Sequence, residues 1–176
     1  TPKAGHNIDV FGSKIVDNTP LRDNDDWNLY GIYSTNTTDV LDFDLYYVNN
    51  QNGGIDDQNN RHSIGARAEK KISNFELEGE VTFQTGVASE VTSGLGVVTE
   101  TTYEASAYDL NAKYNVGDAR NTAITVGYAS ATGDDINTND ANEAYKAPLR
   151  AAHNFNGIAD IFGFSNLADI SVGVST

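Results

Sequence analysis

The chain has 176 residues, 11 basic and 25 acidic, for a formal net charge of −14. That length fits one domain over residues 1–176, and 7 Phe, 9 Tyr and 1 Trp are too many for a solvating acidic tail. The absence of Cys excludes disulfides and thiolate chemistry, a pI near 4.3 speaks against a nucleic-acid partner, and no apolar run approaches the roughly 18 residues of a membrane helix.

Taken in chain order, the segments repeat with period two rather than 3.6. Strands are expected at 7–16, 27–35, 39–49, 61–72, 74–86, 102–116, 120–131 and 168–175. In the third, Leu41, Phe43, Leu45 and Tyr47 alternate with Asp42, Asp44 and Tyr46. In the fourth, Ile64, Ala66 and Ala68 alternate with Gly65, Arg67 and Glu69. In the fifth, Phe75, Leu77, Gly79, Val81 and Phe83 fall on one face and Glu76, Glu78, Glu80, Thr82 and Gln84 on the other, because successive strand side chains point to opposite sides. Tyr108, Leu110, Ala112 and Tyr114 alternate with Asp109, Asn111, Lys113 and Asn115 in the sixth, and Ile124, Val126 and Tyr128 with small residues in the seventh. Glu143 to Ala152 is the one stretch with room for a helical turn or two. With no Met and no charged-then-apolar leader, Thr1 reads as a processed end or as a point within a longer chain.

The connections alternate long and short: 17–26 is long, TNTT short, 50–60 long, KISN tight, 87–101 long, GDA short, and about thirty residues follow Thr132. An up-and-down antiparallel meander whose two ends meet different surroundings has this pattern, and transmembrane β-barrels combine short turns on one side with longer loops on the other. Several strands also reach the nine to eleven residues needed to cross a bilayer obliquely. The expected fold is therefore all-β, an antiparallel meander of about eight strands forming a transmembrane β-barrel or part of one. Tyr33, Tyr47, Tyr103 and Tyr114 lie near strand ends and suit interfacial aromatic girdles, the alternative being ordinary strand propensity.

The segments DVFGSKIVDN, WNLYGIYST, DFDLYYVNN, RHSIGARAEKKISNFELEGEVTFQTG, TAITVGYASATGDD and FNGIADIFGFSNLADISVGV, in that order, resemble the alginate export family of bacterial outer-membrane β-barrels. The likeness runs from Ile8 to Val174 and rests on strand patterning with a few fixed Gly and polar positions. It implies a porin-like channel in the bacterial outer membrane, in a family of wide barrels of about eighteen strands that pass anionic polysaccharide or small solutes. Eight strands would then be part of a larger barrel or a small closed one, and the ending SVGVST, without a terminal aromatic, favours the part.

If the apolar set meets lipid, Asp42, Asp44, Arg67, Glu69, Glu76, Glu78, Glu80, Asp109 and Lys113 line the lumen. Glu76, Glu78 and Glu80 recur about 7 Å apart, a self-repelling row that needs cations or neighbouring Arg and Lys, with Arg67 within reach across the hairpin. The result is either a charged selectivity surface or a hydrated face without selectivity. The acids outnumber the bases, whereas kinship with anionic-polymer exporters implies a basic lumen, so a cationic or neutral solute is an equal expectation. Phe155, Ile158, Ile161, Phe162 and Phe164 make the segment Thr132 to Ser165 too apolar for a simple external loop, so it is the expected constriction or lid.

No catalytic residue, metal site or cofactor is expected. His6, His62 and His153 stand beside no acid and nucleophile pattern. Asp135, Asn137 and Asn139 have calcium-loop spacing, but Asp140 replaces the sixth-position Gly and Lys146 the twelfth-position Glu. The expected partners are outer-membrane lipid, a small solute or polysaccharide and, by self-association, further copies of the chain. The competing reading is a non-transporting β protein, soluble or filament-forming, that presents acidic loops to a partner.

Overall fold

A computed structural model describes residues 5–16, 27–53, 57–92, 97–138, 140–147 and 165–176. The strands are β1 (Gly5–Val16), β2 (Trp27–Thr37), β3 (Asp42–Gly53), β4 (Asp57–Ile72), β5 (Phe75–Thr92), β6 (Val97–Asn115), β7 (Ala123–Ala131), β8 (Ala141–Asn142) and β9 (Leu167–Ser175). All but β8 form one antiparallel meander in the order β1-β2-β3-β4-β5-β6-β7-β9, and β8 runs parallel to the upper part of β6. Among the described residues no pairing joins β1 to β9, so the sheet is open with these two strands as its edges.

The meander has the expected eight strands, with the two-residue β8 beside it, and two expectations are corrected. The described part of the expected helical stretch, Glu143 to Ala147, has no helix. The long connection placed at 87–101 is mostly strand: β5 runs to Thr92 and β6 starts at Val97. Val87, Val91, Val97 and Val98, with the threonines around them, favour extended backbone more strongly than Gly94 and Gly96 interrupt it.

The short connections are closed by their own polar side chains. Between β2 and β3, Thr38 Oγ1 donates to the Leu41 carbonyl (2.7 Å) and accepts from the Leu41 amide (3.0 Å). Between β6 and β7, Asp118 accepts from the Thr122 amide and hydroxyl, both at 2.7 Å. These bonds hold the exposed Asp118 carboxyl below the usual carboxylate range. Because its folded pKa is the lower one, this tie is present above the ordinary Asp range and is lost as pH falls through the depressed value. An acid titration of the Thr122 amide by NMR is expected to turn over below the midpoint of a free Asp, near 3.9. A midpoint at or above that value would remove the tie.

The two faces of the sheet are inverted relative to a soluble sheet. Large apolar side chains stand exposed on one face, including Val10 at 77%, Ile170 at 75% and Phe83 at 54%. The opposite face carries the polar set, and the buried side chains cluster there: Leu29, Val48, Ser63, Thr82, Gln84, Tyr103 and Tyr145. A soluble sheet hides its apolar face, and an exposed apolar surface this extensive marks a surface that meets another apolar medium or partner.

The apolar band does not follow the hydrogen-bonded rows. The row through Tyr30 continues into Asn49, His62, Thr85 and Glu104, all polar, whereas the row through Tyr128 runs Leu110, Gly79, Ala68, Phe43 and reaches the polar pair Asn36 and His6. The aromatic margin of the band thus shifts from the Tyr30 level to the Asn36 level of β2 as the sheet is crossed to β7.

Candidate functional site

The nine charged residues singled out from sequence all lie on the polar face of β3 to β6, where the register brings them together. One row reads Asp44, Arg67, Glu80, Asp109 and the next Asp42, Glu69, Glu78, Asn111. Arg67 is the hub: Nε donates to Glu78 (2.7 Å), Nη2 to Glu69 (2.7 Å), and Nη1 lies 3.5 Å from Asp44. Glu76 is met by Lys71 (3.2 Å) and Asn115 (3.1 Å) on one oxygen and by Lys113 (3.0 Å) on the other. Glu76 and Glu78 are therefore held by cations, Glu76 from both neighbouring strands and Glu78 from β4. Such partly exposed pairs add little to stability; what they set is the charge of the polar face. Acids remain in excess, since Glu80 and Asp109 are held by neutral donors, Tyr46 and Asn111.

Tyrosine hydroxyls supply a second layer of partners. Tyr33 donates to Asp44 (2.8 Å), and Tyr46 donates to Glu80 (2.6 Å) while lying 2.6 Å from Thr82 Oγ1. A phenol has one hydrogen and a carboxylate has none to give, so Thr82 is the donor to Tyr46. Tyr33 and Tyr103 thus face the polar side, which corrects their placement in a girdle: Tyr33 shares its face with Leu29 and Gly31, and Tyr103, 3% exposed, receives a hydrogen bond from Asn59 (2.9 Å). Tyr47 and Tyr114 do stand on the apolar face, where Tyr114 packs on Phe75 with ring centroids 4.8 Å apart and Phe83 meets Tyr108 edge-on at 6.2 Å.

The chain after β7 folds back onto the polar face. The Thr132 amide donates to the Ser106 carbonyl (3.0 Å), its Oγ1 accepts from the Ser106 amide (3.0 Å) and donates to the Glu143 carbonyl (2.6 Å), and its own carbonyl accepts from the Tyr145 and Asn166 amides, both at 3.1 Å. The buried side chain of Gln84 then clasps the Lys146 backbone, accepting from its N–H (2.9 Å) and donating to its carbonyl (2.7 Å). Tyr145 fills a hollow left by Ala105, Ala107 and Ala131. Arg61 and Lys146 both lie over the Tyr103 ring, at 5.7 and 5.6 Å, and Arg61 Nε is buried without a hydrogen-bond partner among the described residues.

The segment 134–143 satisfies itself. Asp135 accepts from the Asn137 amide and side chain, Thr138 donates to Glu143, and Glu143 and Asp134 or Asp135 exchange bonds with each other's amides. These bonds hold the carboxyls of Asp135 and Glu143 below their usual range. Asp134, Asp135 and Glu143 are thus committed to local donors, and no cluster of three or more metal-ligating side chains occurs among the described residues.

Phe155, Ile158, Ile161, Phe162 and Phe164 lie outside the described residues. The sequence reading puts Tyr33 in the girdle, gives Tyr46 and Gln84 a face but no role, and does not reach Tyr145. Its missed signal was the run of alanines at 105, 107, 129 and 131, small residues on a face where β4 and β5 carry long ones.

The described polar face is charged and backs onto an exposed apolar face on every long strand. A family model described as alginate export matches residues 9–176. The chain belongs to the alginate export family. Nearly the whole meander, from within β1 to the end of β9, lies inside that match. No curated protein matches the chain.

Proposed function

We propose that this member of the alginate export family forms all or part of the wall of a bacterial outer-membrane β-barrel channel, with its apolar face in lipid and its polar face lining a lumen through which a solute or polysaccharide passes. The observation that carries this reading is the inversion of faces combined with the stagger of the apolar band. A shift of about six residues over five strand steps, at a rise of about 3.3 Å and a spacing of about 4.8 Å, corresponds to strands tilted by about 40°, within the range of membrane barrels. Phe75 to Phe83 spans about 27 Å along the strand and about 20 Å once tilted, and the rings at its margins extend it toward the roughly 25 Å apolar belt of such barrels. Stagger alone is common to all closed barrels; here it is carried by an apolar band on the exposed face.

On this reading Asp42, Asp44, Arg67, Glu69, Glu76, Glu78, Glu80, Asp109 and Lys113 line the lumen, and the segment held by Gln84 narrows it. The acid excess attracts cations. The test is direct. The protein should require detergent for extraction, migrate in a heat-modifiable way, and conduct in planar bilayers with a preference for cations. Partition into the aqueous phase without detergent would defeat the membrane reading, and anion preference would defeat the assignment of the wall.

A further inference from the structure

Two glycines on the polar face are replaced, in effect, by rings from the next strand. A Cβ on Gly31 would lie 2.3 Å from the Phe11 ring, and one on Gly65 would lie 2.0 Å from the Tyr46 ring. Phe11 pairs with Gly31 and Tyr46 with Gly65 directly across the ladder. Each ring therefore lies flat on the neighbouring backbone in space the glycine leaves open, and turns its other face away from the sheet. Tyr33, the direct partner of Tyr46, is parallel to it within 3°, with centroids 5.8 Å apart. That separation exceeds face-to-face contact, so the two rings are offset along the wall like adjoining tiles. Phe11, Tyr33 and Tyr46 thus make an aromatic track running from β1 to over β4, and all three are only partly buried.

The track is edged by hydrogen-bonding groups. Asp44 and Glu80 each engage their tyrosine through one oxygen and keep lone pairs for a further hydroxyl; Glu80 is the more open of the two, and Asp44, 8% exposed, has Arg67 beside it as a donor. Flat apolar plates flanked by carboxylate acceptors complement a pyranose, whose C–H face is apolar and whose rim carries hydroxyls. The surrounding excess of carboxylates repels a polyanion and leaves an uncharged polyol unopposed. We propose that Phe11, Tyr33 and Tyr46 form a binding track for a neutral saccharide chain, stacked on the rings and hydrogen-bonded to Asp44 and Glu80. This assignment rests on the lumen reading for its role in transport, but the binding itself can be measured apart from conduction.

The test uses the full-length protein in detergent, titrated calorimetrically with neutral hexasaccharides (α- and β-linked glucose oligomers and a β-linked xylose oligomer) and with a hexauronate. The same sugars are then added to the protein in planar bilayers. At least one neutral hexasaccharide is expected to bind and to interrupt the current, with the hexauronate weaker. Tyr33→Ala and Tyr46→Ala should each weaken binding about tenfold, whereas Tyr33→Phe and Tyr46→Phe, which keep the plate and lose only the hydroxyl, should retain most of it. Heat-modifiable migration of each variant reports its folding independently. Binding confined to the hexauronate, no binding by any of the probes, or alanine variants that bind like the parent would overturn the track. Calorimetric binding without any conductance would support the track and instead defeat the pore.

Discussion

Leu110→Arg is expected to destabilise the protein by about 2–4 kcal/mol in a bilayer, the cost of a cation near the middle of the apolar belt of a membrane barrel. Leu110 is 52% exposed, on the apolar face of β6 between Tyr108 and Tyr114, and its neighbours in the row are Gly79 and Tyr128. On a soluble sheet an exposed Leu exchanged for Arg would change stability by no more than about 0.5 kcal/mol. Glu104→Arg provides the internal control: Glu104 shares the face and the strand of Leu110 but lies in the polar row with His62 and Thr85, so its replacement should cost about 0–1 kcal/mol. Denaturant unfolding in lipid vesicles, followed through the fluorescence of Trp27, measures both. Equal and small effects at the two positions would mean that no hydrocarbon boundary runs between them.

The separation of an apolar from a polar face explains why so much of the fold is legible in the sequence. Strict alternation in β3, β4, β5 and β6 carries the strands, their faces and the pairing of Arg67 with the glutamates of β5. The ladder register is then fixed by short turns such as Ser73–Asn74, where Ser73 adopts φ 54°. What alternation does not encode is reach. Tyr33 and Tyr47 are equally plausible girdle residues by their distance from a strand end, and only the parity shared with Leu29 and Gly31 separates Tyr33 from the apolar face. Gly31 and Gly65 read as weak points of strands until the ring that covers each is known. Gln84 belongs to the polar set of β5, but its partner, the Lys146 backbone, lies 62 residues away and follows no periodic pattern. The long ends of β5 and β6 were missed for a related reason: glycines suggested a loop, while the β-branched residues around them preferred to extend the hairpin.

The segment from Thr132 to Lys146 yields the other large effect. Tyr145 is 6% exposed in the hollow of Ala105, Ala107 and Ala131, and truncating a buried aromatic costs about 3–5 kcal/mol. Little else described anchors this part of the segment apart from the Thr132 node, the β8 pairing and the Gln84 clasp, so the loss should appear as release of the segment before it appears as unfolding of the meander. Tyr145→Ala is therefore expected to raise single-channel conductance while heat-modifiable migration persists. Gln84→Glu tests the clasp more gently: a carboxylate still accepts from the Lys146 N–H but cannot donate to its carbonyl, which leaves a partly buried acceptor unpaired at a cost of about 1–3 kcal/mol. It should shift conductance in the same direction as Tyr145→Ala and by less. If both variants conduct like the parent, the folded-back segment does not set the width of the channel, and the narrowing must come from another part of the wall.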